Sequence, residues 1–495
     1  MGVAAFKPEP GSVVSSIKMP PVRAEILARR DEFVAGLAAI VGEEHVIVTE
    51  DERRAYEADA LSAYRAIPLA VVLPGTTEEV SAIVRYLGAN GVNIVARGAG
   101  TSLSGGALPS PDAVVIGLAR MNRILALDYE NRIARVEAGV TNINITNIVA
   151  HRGFFYAPDP SSQLACTIAG NIAMNSGGAH CLKYGVTTNN VLGIRMVTID
   201  GTIVDIGGDH LDAGSYDLLG LVVGSEGQFG IITEATVRIL RAAEGARPML
   251  MGFDSAERAG ACVAAIIASG IIPVAIEYMD RPAIKVCEAF AHAGYPLDVE
   301  ALLIIEVEGS EAEIEDLIGR ITRIAAAFAP STMRVSKSEA ESAAIWKGRK
   351  SAFGAMGRIS DYMCMDGVIP TSRLPDVLKR VGEICAGYGL SVANIFHAGD
   401  GNLHPLILFN ANDPKELAKA EAAGADILKL CVEVGGCLTG EHGVGVEKRD
   451  LMGFQFSAVD LGFQMRIKSV FDPQWLLNPA KVFPLEGRPP LADAA

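Results

Sequence analysis

What this sequence lacks narrows its tasks before any motif is considered. No apolar run reaches the roughly 20 residues that a membrane-spanning helix needs. The longest, 261–276, is interrupted by Ser269, Gly270 and Pro273 and reads as helix, turn and strand. Basic side chains are in the minority, 43 lysines and arginines against 58 aspartates and glutamates, for a formal net charge of −15. A surface of that sign repels phosphate backbones, which excludes sequence-independent nucleic-acid binding. No pair among the eight cysteines forms C-x-x-C, and the eight are too dispersed for iron–sulfur ligation. They read as free thiols of a reducing compartment. The first 23 residues contain no apolar core of a secretory signal. A cytoplasmic protein is therefore expected, with peripheral attachment to the inner face of a membrane as the alternative.

What is present is a large packed protein. Apolar residues make up 50% of the 495, enough for an extensive core and for two to four domains at about 150 residues each. The 52 glycines and 24 prolines follow no G-X-Y period, so they belong to turns and ligand loops. Residues 25–60 read as helical and charged, ending in a helix that contains DERRAYEADA. From Leu69 the texture changes: PLAVVLPGT predicts a buried strand, and TTEEVSAIVRYLGANG predicts an amphipathic helix that Thr76 or Thr77 can cap. VNIVAR and AVVIGL are further strands. RILALDYENRIARVEAGV and IRMVTIDGTIVDIGG read as strand–turn–strand, and ITEATVRIL as a last strand near Leu240. Past Pro248 strands and helices alternate in two stretches, as in the two halves of a ferredoxin-like cap. The closing IKSVFDPQWLLNPAKVFP reads as turn-rich.

Three small-residue loops carry the first chemistry. RGAGTSLSGG, 97–106, follows a strand directly. Small residues let backbone N–H groups approach a pyrophosphate, and Thr101, Ser102 and Ser104 add hydroxyls. A Rossmann fingerprint fails here: Gly98 and Gly100 fit, but Leu103 holds the third glycine position, which argues against a nicotinamide cofactor. CTIAGNIAMNSGGAHCLKYGV and VVGSEGQFGIIT are the other two loops, and one large phosphate-bearing ligand explains all three.

At these residues the sequence resembles the FAD-linked oxidases of the vanillyl-alcohol oxidase, or PCMH-type FAD-binding, superfamily. The matching pieces are PGT at 74–76, RGAGTSLSGG, APDPSS at 157–162, IAGNIAMNSGG, KYG at 183–185 and GSEGQFGIIT, in that order. The resemblance implies an α+β fold. A PCMH-type FAD-binding domain of two subdomains spans 61–245, after an N-terminal helical segment, 1–60. A ferredoxin-like substrate or cap domain spans 246–460, and a C-terminal segment, 461–495, returns to the FAD domain. It further implies that FAD is held by Pro74, Arg97, Gly98, Ala99, Gly100, Thr101, Ser102, Gly105, Pro158, Asp159, Thr167, Gly170, Asn171, Asn175, Ser176, Gly177, Gly178, Tyr184, Gly185, Glu226, Gly227, Ile231, Ile232 and Asn478. Some members tether the flavin to a histidine in the first loop. Ala99 stands at that place here, so non-covalent FAD is expected.

A second constellation lies in the later half. HAGDGNLH sets His397 and His404 seven residues apart across a glycine turn, and TGEHGVG sets Glu441 beside His442. Two imidazoles and a carboxylate suit Zn, Mn or Fe(II). His180 lies in a glycine-rich loop as well. With these motifs, residues 30–485 resemble the D-2-hydroxyacid dehydrogenase branch, above all its glycolate oxidase type. That resemblance implies metal ligation by His397, His404 and Glu441, a general-base role for His442, and Arg349 in IWKGRKSAFG as the grip on a substrate carboxylate. Asn478 and Lys481 match a C-terminal signature that closes near the flavin.

Two positions depart from the branch that acts on larger dicarboxylic hydroxyacids. Cys364 replaces a lysine and Leu406 an asparagine, which points to a small acid, glycolate or D-lactate. The implied reaction passes a hydride from Cα to flavin N5 while His442 takes the hydroxyl proton. Two rivals remain at this level: a flavin-carrying subunit inactive without a second flavin-type subunit and an iron–sulfur subunit, and a non-haem Fe(II) oxygenase built on the two-His-one-carboxylate set.

Overall fold

The computed structural model describes residues 17–210, 214 and 216–485. Most of the N-terminal stretch read for a secretory signal, and the last ten residues of the C-terminal segment, lie outside the described residues. The fold is α+β, and the chain divides into two compact units. Of the described residues, one unit takes those up to 176, then those within 186–241, then 441–485; the other takes 177–185 and 242–440. Residues 441–460, grouped with the cap in the sequence reading, fall in the first unit, and the nine residues 177–185 fall in the second.

The first unit contains two main sheets and a two-stranded ribbon of Phe154–Phe155 with Leu240–Arg241. Ala70–Val72, Ala113–Gly117 and Asn93–Arg97 run parallel in that spatial order. Both faces of this sheet are covered, so the strands read as unbroken apolar runs. Val72, Ile94, Val114 and Ile116 enter the main core, while Val71, Val95 and Val115 pack on the other side. Helix Thr77–Ala89 is the crossover between two of the strands, and Thr76 caps it by accepting from Glu79 N at 3.1 Å. The second sheet is antiparallel with five strands, ordered Ile124–Asp128, Ile133–Glu137, Ile231–Arg238, Val191–Val197 and Ile203–Gly207.

The N-terminal expectation needs correction. Residues 25–60 are not continuously helical: helices Ala24–Ala28 and Arg30–Val41 end at Gly42, which has φ +93°. Val46–Ile47 then adds an antiparallel edge strand to Ala70–Val72. Of DERRAYEADA only the first six residues are helical, an α-turn within Glu50–Arg53 that runs into a 3-10 turn, Arg54–Tyr56. The apolar pair at 46–47 gains more from an open sheet edge than from a charged helix.

The second unit is one seven-stranded antiparallel sheet. Its first half, Gly245–Phe253, Ala275–Asp280, Ala301–Gly309 and Thr332–Val335, pairs in the spatial order fourth, first, third, second, which is the ferredoxin-like arrangement. In the second half, Asp361–Cys364, Ser391–His397 and Pro405–Phe409 repeat the order second, third, first, and the fourth strand is reduced to a bridge between Val368 and Cys437. The halves join edge to edge through 277–279 and 395–397. Helices Arg281–Ala291, Glu339–Lys350 and Ala352–Met356 supply Ala283, Ile284, Ile345 and Met356 to the core on one face, against Met279, Ile304, Ile395 and Leu406. The helix over IWKGRKSAFG carries few apolar side chains, which leaves it without a clear periodic signal.

Candidate active site

In the first unit the glycine loop begins where Asn93–Arg97 ends, at the carboxyl edge of the parallel strands, the usual ligand position of such sheets. Arg97 is buried and donates through Nη1 to the Ala58 carbonyl at 2.7 Å. Glycine is required at position 98, because a Cβ there would lie 2.1 Å from Thr167 Oγ1. Among the described residues that Thr167 hydroxyl is buried without a hydrogen-bond partner, an arrangement that suits a ligand oxygen between loop and helix. Thr167 precedes helix Ile168–Met174, and within that helix Asn171 accepts from Asn142 Nδ2 at 3.0 Å and donates to Ser176 Oγ at 3.3 Å. Asn142 also donates to the Pro158 carbonyl at 3.0 Å, tying the APDPSS run to the same place.

Glu226 closes this cradle from the third loop. Its backbone is left-handed, with φ +54°, and its side chain accepts from Val444 N at 2.6 Å and Gly445 N at 2.8 Å. The Ser104 hydroxyl donates to the His442 carbonyl at 2.9 Å. The EHGVG turn is thus pinned on both sides by the flavin-type loops of its own unit. Asn478 donates through Nδ2 to the Gly106 and Glu226 carbonyls at 3.0 and 2.6 Å, and among the described residues its buried Oδ1 has no partner. Two orphaned polar atoms beside tight glycines make a cradle that fits a dinucleotide-sized phosphate ligand.

Lys481 is buried beside them, and among the described residues its Nζ reaches the Pro479 carbonyl at 3.5 Å. Burial pushes its pKa down to about 7; Asp59 and Glu226 oppose this and Arg449 adds to it. An unfolded lysine keeps its proton up to about 10.5. Between about 7 and 10.5 the unfolded chain therefore binds more protons, and stability rises with pH. Denaturant titrations of the flavin-free protein should show a rise of up to about 1.4 kcal/mol per pH unit above pH 7, absent in Lys481→Met. Equal slopes in the two proteins would show that Lys481 is charged throughout.

The second unit holds a separate polar cluster in an otherwise apolar face. Glu277 and His397 are cross-strand partners at the join of the two halves. The Glu277 carboxylate accepts from His397 Nδ1 at 2.8 Å and from Arg349 Nε at 2.7 Å, and Arg349 Nη2 lies 2.6 Å from the same oxygen. Burial alone would raise the Glu277 pKa, but the charges of His397 and Arg349 outweigh it and hold the carboxyl below its ordinary range. His404 sets its Nδ1 3.2 Å from the Met365 carbonyl, and its ring lies 5.2 Å from that of His397, nearly perpendicular. In both histidines Nδ1 faces an acceptor, so in the neutral ring Nδ1 carries the hydrogen and Nε2 the lone pair. This is how metal-binding imidazoles are held. Behind His404, Cys364 and Leu406 are buried cross-strand partners, and the Phe353 ring is 6.3 Å from the imidazole.

The sequence-derived residues are therefore distributed as follows. Arg349, His397 and His404 come together in the second unit. Glu441 and His442 follow Gly440, the last residue of that unit, and belong to the first. Of the FAD set, Gly177, Gly178, Tyr184 and Gly185 fall in the second unit, where the Tyr184 phenol donates to Glu308 and Lys183 pairs with the same carboxylate at 2.7 Å. Glu277 escaped sequence reading, as did Glu306, which accepts from Trp346 Nε1 at 2.7 Å and lies 3.2 Å from His180 Nε2. The available signal was an acidic residue inside an apolar strand, since a buried carboxylate is rare unless paired.

Comparison with known proteins bears on these sites. Residues 68–207 match the family described as FAD binding domain, and 243–482 match FAD linked oxidases, C-terminal domain. The chain is 48% identical to glycolate oxidase subunit GlcD of Escherichia coli strain K12 over 93% of its length and 91% of that protein. It is 36% identical to glycolate oxidase subunit GlcD of Bacillus subtilis strain 168, over 91% and 97%. It is 30% identical to a D-lactate dehydrogenase of Anaerostipes hadrus, over 89% and 95%. Among solved structures, p-cresol methylhydroxylase with substrate bound shares the fold with a TM-score of 0.76 at 16% identity, covering 93% of this chain and 97% of that one. No helix among the described residues is long and apolar enough to cross a membrane.

Proposed function

The chain belongs to the FAD linked oxidases, and on that premise we propose that it oxidises a small 2-hydroxyacid, glycolate or D-lactate, to the 2-oxoacid. The observation that carries this reading is the Glu277 network, which aims His397 and Arg349 from one buried carboxylate. A hydroxyl next to a carboxylate needs a cationic grip and a polarising site, and this cluster supplies the parts of both. The E. coli and B. subtilis relatives, named for glycolate, and the A. hadrus relative, named for D-lactate, support the substrate class.

Non-covalent FAD is assigned to the cradle of the 98–106 loop, Thr167, Asn171, the Glu226 turn and Asn478. A divalent cation, Zn, Mn or Fe, is assigned to His397, His404 and Glu441. FAD, when bound, would supply a two-electron acceptor for the Cα hydrogen, and the cation would supply Lewis acidity toward the hydroxyl. The side chains do the rest. Arg349 spends its Nε edge on Glu277, which leaves the edge between its two terminal nitrogens for a substrate carboxylate. His442 takes the hydroxyl proton. Cys364 and Leu406 offer no polar partner to a second carboxylate, whose burial there would be costly.

Anaerobic mixing of the FAD-loaded protein with D- and L-hydroxyacids tests this reading. Glycolate or D-lactate should bleach the flavin, and a dicarboxylic 2-hydroxyacid should do so far more slowly. A flavin that stays oxidised with every small hydroxyacid overturns the proposal. A second reading, a flavin-carrying subunit that needs a second flavin-type subunit and an iron–sulfur subunit, is favoured by the subunit names of the two glycolate oxidase relatives. Turnover of the isolated chain with an artificial acceptor counts against it.

A further inference from the structure

We infer that Asp366 is a positioning residue for the metal site, tying the turn that carries His397 and His404 to the residues that lead into Glu441. Asp366 follows strand Asp361–Cys364 by two residues and has no solvent exposure. One carboxylate oxygen accepts from Asn402 Nδ2 at 3.0 Å; the other accepts from the Thr439 hydroxyl and from Gly440 N at 3.0 Å. The Gly440 amide lies 2.8 Å from the Asp366 carbonyl as well.

The donors are placed where they matter. Asn402 sits inside HAGDGNLH, and its backbone bridges to His397 and to Val368. Thr439 and Gly440 are the last two residues before Glu441. The junction is tight: a Cβ on Gly440 would lie 2.2 Å from Asn402 Nδ2, and one on Gly401, with φ +80°, would lie 2.1 Å from the Ile369 carbonyl oxygen. A buried carboxylate is costly unless its lone pairs are filled. Here two segments distant in sequence fill them with three donors, and both segments lead into proposed ligands. An asparagine in its place would bring one acceptor oxygen against the same three donors.

The inference rests on the metal reading above, and the test separates the two. Mn(II) binding to the FAD-loaded protein is read from the electron paramagnetic resonance signal of free Mn(II), with flavin content and thermal midpoint as controls. His404→Ala should abolish binding. Asp366→Ala should raise the Mn(II) dissociation constant about 10- to 100-fold, the usual scale for a lost outer partner of a metal ligand, with flavin content unchanged. Thr439→Val should raise it several-fold and Thr439→Ser should restore it, and this pair decides the matter if Asp366→Ala fails to fold. If His404→Ala loses Mn(II) while the Asp366 and Thr439 variants stay within twofold of the parent, the positioning role is wrong and the metal reading stands. If the parent binds no Mn(II), or His404→Ala binds as the parent does, both fall.

Discussion

Replacing His442 with alanine should cut turnover of glycolate or D-lactate at least about 10²-fold, the ordinary scale for losing a general base, and leave flavin content unchanged. The two halves of that expectation have different origins. The turn around His442 is held through its backbone: Ser104 donates to the His442 carbonyl, and the Val444 and Gly445 amides donate to Glu226. None of these bonds uses the imidazole. Truncation therefore removes a proton acceptor and keeps the cradle. Single-turnover flavin reduction is the right measurement, because it isolates the step in which the hydroxyl proton leaves. The loss should appear in the limiting reduction rate and spare the apparent substrate affinity, since binding falls to Arg349. A variant that reduces its flavin at the parent rate would take His442 out of the base role.

The sequence pattern made some of this molecule legible and concealed the rest for physical reasons. Local features read well. The Thr76 cap, the strands 93–97 and 113–117, the two strand–turn–strand pairs and the ferredoxin-like alternation each leave a short-range signature of period or punctuation. The long small-residue loops read well too, because tight backbone packing around Gly98 and Gly440 demands glycine. Pairings between distant segments leave no local trace. Nothing in IPVAIEYMD announces that its edge meets NIFHAG, yet that single pairing turns two half-sheets into one and sets Glu277 opposite His397.

Candidate site residues divide in the same way. HAGDGNLH and TGEHGVG carry their histidines and Glu441 in compact motifs. Arg349 required the resemblance around IWKGRKSAFG, because a helix arginine is otherwise unremarkable. Glu277 and Asp366 act by holding other residues, and a carboxylate that serves as an anchor looks in sequence like any other. The over-extended N-terminal helix has a related cause: charge and alanine favour helix over 43–60, but Val46 and Ile47 find an open sheet edge and take it.

Glu277→Gln is expected to show how much depends on the anchor, with a loss of about 3–5 kcal/mol of stability, the scale for leaving a buried partner uncompensated. Glutamine preserves shape, so packing changes little. It removes the charge that faces Arg349, itself only 3% exposed, and one of the two acceptor oxygens that Arg349 and His397 Nδ1 now use separately. If the cost comes from the stranded guanidinium, removing that as well should help. The double variant Glu277→Gln/Arg349→Met should therefore be more stable than Glu277→Gln alone, although it discards another polar group. Denaturant midpoints of the parent, both single variants and the double variant close the cycle. Activity should move the other way. The double variant has lost the carboxylate grip and the charge of the imidazole anchor, so it should reduce its flavin no faster than either single variant. Simple additivity in the stability cycle would mean that Glu277 and Arg349 do not depend on each other, and the buried pair would then be no more than a neighbour of the site.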